Sequence, residues 1–341
     1  MSLEDIGFYT LEDSRAAAVG VDSPLWRCEL ILTSACNFAC PYCRGVEEER
    51  CGSMSWDEAT RILDGWCSEG LRNVRFSGGE PTLWKRLPEL VERAVTGGVR
   101  RVAISTNGSA PRALYERLLA AGVNDFSISL DACCAETGDL MAGGKSGAWG
   151  RVVENVRFLS PLAYVTVGVV LTEDNVPEFE KTVLFAHSLG VADIRVISAA
   201  QWNERLRDVD FPPEVLRAHP ILAYRVANLR SGRHVRGIPS DGPSRCPLVL
   251  DDMAVLAGAH WPCIIHLRER GDPIGTTEGT MREVREARRA WFEATDPRSE
   301  PICSANCLDV CVDYNARVRC LGGPSASAFP EASAATFKAE K

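Results

Sequence analysis

The amino-acid sequence predicts an α/β fold: a partial (β/α)6 barrel of parallel strands, then a small cysteine-bearing unit. Three observations predict it. Short β-branched strand patterns alternate with helical patterns from residue 25 to about 200, which means a parallel sheet with crossover helices. Clusters of Cys, Gly-Gly-Glu and Asn-Gly fall directly after strand patterns, where barrels carry their sites. The alternation then stops at a turn-rich stretch, Gly237–Arg245 (GIPSDGPSR), beyond which cysteines crowd together. The expected units are an arm over 1–24, the barrel over 25–236, the small domain over 237–320, and a disordered tail over 321–341.

Each element has a local reason. Trp26–Thr33 (WRCELILT) reads as the first strand. Ser55–Cys67 reads as a helix opened by a Ser cap with Glu58 three residues on. Asn73–Phe76 is a short strand and Leu83–Thr96 a helix; Arg100–Thr106 is a strand, and Pro111–Ala121 a helix with proline in its first turn. Asp125–Leu130, Ala163–Leu171 and Asp193–Ser198 complete the strands, interleaved with helices over Ala148–Leu159 and Val176–Leu189. Pro212–Ser231 reads as one more helix.

Composition narrows the function classes. The 341 residues are 45% hydrophobic and 25% charged, ordinary for a globular enzyme of about two domains. The net charge of −8 offers no basic footprint for a nucleic-acid backbone. No apolar run approaches the ~18 residues of a membrane span, and MSLEDIGFYTLEDSR lacks the layout of a signal peptide, so a cytoplasmic location is expected. Fourteen cysteines are the anomaly. In a reducing compartment clustered thiols bind metal or do chemistry, and their grouping at the two ends of the chain suggests one metal centre per unit.

The sharpest signal is Cys36-Asn37-Phe38-Ala39-Cys40-Pro41-Tyr42-Cys43, a C-x3-C-x2-C in the loop after the first strand. Such a loop can wrap three thiolates around one iron–sulfur cluster and leave an iron open; a zinc site with a distant fourth ligand is the competing reading. Three further motifs follow in order at strand ends: Ser77-Gly78-Gly79-Glu80-Pro81, Ser105-Thr106-Asn107-Gly108, and Ser127-Ile128-Ser129-Leu130-Asp131. Together they resemble the radical S-adenosylmethionine (SAM) superfamily. The resemblance implies a TIM-type partial barrel in which Cys36, Cys40 and Cys43 hold a [4Fe–4S] cluster whose fourth iron chelates SAM. It implies reductive cleavage of SAM to a 5′-deoxyadenosyl radical, which abstracts hydrogen from a substrate, with a flavodoxin- or ferredoxin-type protein as electron donor. Gly78, Gly79 and Glu80 match the motif that holds the methionine amino group. Asn107, Ser129 and Asp131 fall where the family places polar groups on the ribose and carboxylate, and Tyr42 where a side chain lies against the adenine. Val169 and Ile197 are candidates for the adenine pocket, with core packing an equal alternative.

The C-terminal cysteines run Cys246-x16-Cys263-x39-Cys303-x3-Cys307-x3-Cys311-x8-Cys320. Cys246 and Cys263 bracket a two-strand pattern, with Asp251-Asp252 read as a turn; Cys303, Cys307 and Cys311, at i, i+4 and i+8, would share one helical face. This resembles the SPASM/twitch class of extensions, which implies a second, auxiliary [4Fe–4S] cluster. The family pattern ends in C-x2-C rather than C-x3-C, so the fourth ligand stays open between Cys307 and Cys311; structural zinc is the alternative.

Cys28, Cys51 and Cys67 read as packed or incidental. Cys133 and Cys134 follow the fourth strand and are candidate hydrogen-atom donors to a substrate radical. His260 and His266 read as surface residues, and Arg282–Arg289 (REVREARR) as a solvated helix face. An auxiliary cluster, which can take up an electron, favours oxidation (dehydrogenation), bond formation or bond rearrangement over epimerisation. Only about 25 residues precede the first strand, too few for a peptide-recognition domain. A small polar substrate is therefore expected (a sugar, aminocyclitol or nucleoside), ahead of a peptide or protein; a zinc-stabilised binding protein is the non-enzyme alternative.

Overall fold

The computed structural model describes residues 17–20, 22–45, 52–198 and 208–322. Six parallel strands form in chain order: β1 Arg27–Ile31, β2 Asn73–Ser77, β3 Arg101–Thr106, β4 Asp125–Ser129, β5 Tyr164–Leu171 and β6 Asp193–Ser198. The helices between them are α1 Trp56–Ser68, α2 Leu87–Thr96, α3 Arg112–Ala121, α4 Ala135–Met141, α5 Ala148–Leu159 and α6 Phe179–Ser188. Ser55 caps α1 as expected, its side chain accepting from the Glu58 amide.

Strand alternation sorts the side chains. Leu30, Phe76, Ile104, Phe126, Val167 and Val196 point outward and bury against the helices in one continuous core. The opposite face of the same strands carries Glu29, Arg75, Ser105, Ser127 and Arg195, which line a cleft. Register keeps that face aligned: Glu29 pairs with Arg75, Ser105 with Ser127, Ser129 with Gly168, and Gly168 with Arg195.

The cysteine-bearing segment continues this sheet. After the short helix α9 Leu248–Asp251, strand β7 Asp252–Leu256 pairs parallel with β1, then β8 Ala259–Trp261 and β9 Gly275–Thr276 add antiparallel. The sheet order is therefore β6-β5-β4-β3-β2-β1-β7-β8-β9. The segment still has a core of its own, built on Leu250, Phe292, Val310 and Tyr314.

Several expectations are corrected. Pro212–Ser231 is two helices, α7 Pro213–Ala218 and α8 Pro220–Arg230, because Pro220 lacks an amide and restrains His219 out of the helical region. Asp251 and Asp252 are the end of α9 and the start of β7; the reversal lies at Ala257 and Gly258, both at positive φ. His260 and His266 are buried rather than exposed. The helix over REVREARR, α11 Met281–Ala294, is not wholly solvated either. Arg288 is fully buried and donates to the carbonyls of Val249, Trp261 and Pro262, tying α11 to the chain on both sides of the hairpin. Cys28 is packed in the core, Cys51 lies outside the described residues, as does most of the 321–341 tail, and among the described residues no helix is long and apolar enough to cross a membrane.

Candidate active site

The C-x3-C-x2-C loop leaves β1 and is clamped from two sides. Below it, the amides of Gly79 and Glu80 donate to the carbonyls of Thr33 and Ala35 at 2.7 and 2.8 Å. A Cβ on Gly78 would sit 2.4 Å from the Thr33 carbonyl oxygen, and one on Gly79 2.4 Å from those of Ser34 and Ala35. Glycine is required there because the loop backbone lies directly on the motif. On the other side Lys145 donates to the Asn37 carbonyl at 2.9 Å, and a Cβ on Gly143 would meet the Ala39 carbonyl oxygen at 2.6 Å.

Held this way, Cys36, Cys40 and Cys43 all line one open cleft, together with Tyr42, Gly78, Gly79, Asn107, Ser129 and Ile197. Two predicted contacts differ. Glu80 is fully buried and does not reach the cleft: its carboxylate accepts from Thr82 (amide 3.1 Å, hydroxyl 2.6 Å), the Thr106 hydroxyl (2.7 Å) and the Asn107 amide (2.7 Å). It is the brace that fixes the loop after β3, leaving the glycine backbone to face a ligand. Asp131 is likewise occupied, accepting from the Tyr42 hydroxyl and, at 2.6 Å, from the Val170 amide. Of the two adenine-pocket candidates Ile197 lines the cleft, whereas Val169 is buried on the outer core face. Val170, which pairs with Ile197 across β5 and β6, takes the cleft position.

Cys133 and Cys134 do not line this cleft. Both thiols lie within 4.8 Å of Glu178, whose Oε2 also accepts from Thr137 at 3.0 Å. That position leaves neither thiol facing a substrate in the cleft.

The five cysteines Cys246, Cys263, Cys303, Cys307 and Cys311 line a second, tight cavity, walled also by apolar side chains such as Leu248, Ile265, Trp291 and Ile302 and by Asp252, His266 and Asn315. They do not share one helix. Cys303 is in α12 Pro301–Asn306 and Cys311 in α13 Asp309–Cys320, while Cys307 sits at the extended corner between them with ψ 137°. The break has a cause: Asp309 is buried and held by Arg225 and, at 2.8 Å, by Asn228, which starts a new helix. Carbonyls freed at the corner are taken up by the chain at 237–238, where the Gly237 amide donates to Cys307 at 2.9 Å and Ile238 to Ser304 at 3.0 Å. Cys320 is exposed at the end of α13 and takes no part.

The donor sets fit iron–sulfur clusters better than single ions. Tetrahedral zinc needs thiolates roughly 3.8 Å apart, given Zn–S of about 2.3 Å. Among the described residues the group of three or more potential ligands that closes within 4.8 Å is Cys133, Cys134 and Glu178; neither cysteine set does. A cluster binds each thiolate to a different iron, so its ligands stand wider apart. Burial raises the Cys40 thiol to about 11 and the Cys263 thiol to about 12. Both are neutral thiols without metal, and metal uptake releases their protons.

Residues 30–186 match the Radical SAM superfamily. A probable GTP 3′,8-cyclase of Methanococcus vannielii is 30% identical over 290 residues, 81% of this chain and 95% of that protein. This chain belongs to the radical SAM superfamily. A probable GTP 3′,8-cyclase of Metallosphaera sedula is 28% identical over 178 residues, so the chain spans about half of it, 56%. Among solved structures, SuiB of Streptococcus suis bound to its precursor peptide SuiA superposes with a TM-score of 0.57 at 15% identity, over 82% of this chain and 66% of that one. That is a likeness of fold, a parallel partial barrel with its C-terminal extension. Radical SAM enzymes use a [4Fe–4S] cluster and SAM, and this chain is an enzyme of that class. Sequence reasoning missed the charged lining of the cleft. The signal was present: Arg27, Glu29, Arg75 and Arg195 interrupt otherwise apolar strands with the alternation of one face.

Proposed function

We propose that this enzyme oxidises a small polar substrate in the cleft, with Cys36, Cys40 and Cys43 holding the SAM-binding cluster and four of the five C-terminal thiols holding an auxiliary [4Fe–4S] cluster. One observation carries the reading: Ile265 borders both the three-thiol cleft and the five-thiol cavity. A bound SAM cluster supplies hydrogen-atom abstraction, through the 5′-deoxyadenosyl group of SAM. After loss of a hydrogen atom a dehydrogenation still gives up one electron and one proton; a cluster in the adjoining cavity would take the electron, and the proton would pass to water in the open cleft. Within the cleft, the Gly78 and Gly79 backbone and Asn107 would hold the amino-acid end of SAM, and Tyr42, Val170 and Ile197 would form the adenine surface; all of them line the cleft. Epimerisation is disfavoured because Cys133 and Cys134 lie outside the cleft. The likeness to SuiB, solved with a peptide, supports the second reading, a peptide-modifying enzyme.

The test uses anaerobically reconstituted enzyme with reductant, SAM and panels of sugars, nucleosides and short peptides. The proposal expects 5′-deoxyadenosine stimulated by a sugar, aminocyclitol or nucleoside, with a product two hydrogens lighter. In Cys263→Ala/Cys303→Ala, 5′-deoxyadenosine should persist while oxidised product is lost. Stimulation by peptides alone would move the second reading ahead.

A further inference from the structure

We propose that the substrate carries an anionic oxygen group, a phosphate or a carboxylate, and that Arg44, Arg236 and Arg268 receive it at the cleft mouth. The inference rests on the cleft being the substrate site. The three side chains come from three segments: Arg44 follows Cys43 directly, Arg236 precedes the Gly237 amide that holds Cys307, and Arg268 ends helix α10 Ile264–Arg268. All three line the same cleft as the cysteine loop.

Their charge is under-compensated. Arg44 and Arg236 share one carboxylate, Oε1 of Glu269, with Arg236 Nη1 at 3.7 Å. Arg268 donates to the Gly78 carbonyl at 3.1 Å, a neutral acceptor. Among the described residues, the one carboxylate ion-paired to these three guanidinium groups is Glu269, and the one carboxylate lining the cleft is Glu29. Among the described residues the Arg236 Nε is also buried with no hydrogen-bond partner. Deeper in the cleft Arg27 is neutralised by Asp252 at 3.2 Å, whereas Arg75, 3.9 Å from Asp125, shares that carboxylate with Arg101. A planar guanidinium fork is suited to bidentate capture of phosphate or carboxylate.

The rival claimant is the carboxylate of SAM, and the experiment separates the two. Reconstituted holoenzyme is titrated with SAM, then the SAM-loaded enzyme with inorganic pyrophosphate in one arm and succinate in the other. Wild type, Arg268→Gln and Arg236→Gln are compared at matched iron content, with Arg268→Lys in reserve should Arg268→Gln lose its iron. The expected result is binding of one probe to the SAM-loaded wild type, weakened about tenfold or more in each Gln variant, with SAM affinity unchanged in Arg236→Gln, whose side chain does not touch the Gly78 backbone. The arm that responds tells phosphate from carboxylate. SAM affinity falling in the variants, with neither probe binding, would assign the arginines to SAM and overturn the proposal. Probe binding indifferent to the substitutions would also overturn it. The oxidation reading fails separately, through absence of 5′-deoxyadenosine or of oxidised product.

Discussion

The Tyr42 hydroxyl donates to Oδ2 of Asp131, and Oδ1 of the same carboxylate accepts the Val170 amide at 2.6 Å. One buried carboxylate thus joins the cysteine loop to β5 across the cleft. Burial raises the Asp131 carboxyl to about 6, although both hydrogen bonds favour its charged form. In the unfolded chain it would titrate near ~3.9. Between about pH 4 and 6 the native state keeps a proton that the unfolded chain has lost, so this group's contribution falls as pH rises through that window. The loss is about 3 kcal/mol and is complete above pH 6. Tyr42→Phe removes a donor to the carboxylate, so the decline should extend above pH 6. Denaturant midpoints from pH 4 to 8 check this; an unchanged window would detach Tyr42 from Asp131.

Gly79→Ala tests the clamp under the cysteine loop. The added methyl meets two backbone carbonyls at 2.4 Å, which no side-chain rotation relieves. The expected cost is about 2 kcal/mol of stability, and the reconstituted protein should lose the iron of the first site selectively. Full iron content would show that the loop tolerates displacement.

Val169→Ala and Val170→Ala should separate cleanly. Val169 is in the outer core, so its truncation should cost about 1–2 kcal/mol and leave SAM affinity alone. Val170 lines the cleft, so its truncation should weaken SAM several-fold with little loss of stability. Equilibrium unfolding and SAM titration on both variants decide between the two faces.

These two neighbours show where the sequence was legible and where it was not. Strand and helix alternation could be read locally because apolar periodicity and caps such as Ser55 act over a few residues. Parity within β5 was legible as well: Val165, Val167, Val169 and Leu171 alternate with Tyr164, Thr166 and Gly168, which sets Val169 on the core face and Val170 on the other. Ile197 shares a face with Arg195, two residues earlier in β6, and that charge marks the cleft side. The motif around Gly78–Glu80 was visible, but the bracing role of Glu80 depends on Thr106 and Asn107, which the fold brings from another strand end. The pairing of β7 with β1 joins segments more than 220 residues apart and has no local signature. The three-cysteine helical face failed because Asp309, bound by Arg225, restarts the helix.

Cys133→Ser and Cys134→Ser, singly and together, should leave substrate turnover within about twofold of wild type. Their thiols face Glu178 rather than the cleft. A selective loss of product with 5′-deoxyadenosine still formed would restore them as hydrogen donors.

The most direct test of two separate centres is iron and sulfide counting on anaerobically reconstituted protein, beside a Cys36→Ala/Cys40→Ala/Cys43→Ala variant. About eight irons falling to about four, with 5′-deoxyadenosine formation abolished, is the result expected from two four-iron sites. About four irons falling to none would contradict it, leaving the five-thiol cavity without a cluster and the oxidation without its electron acceptor.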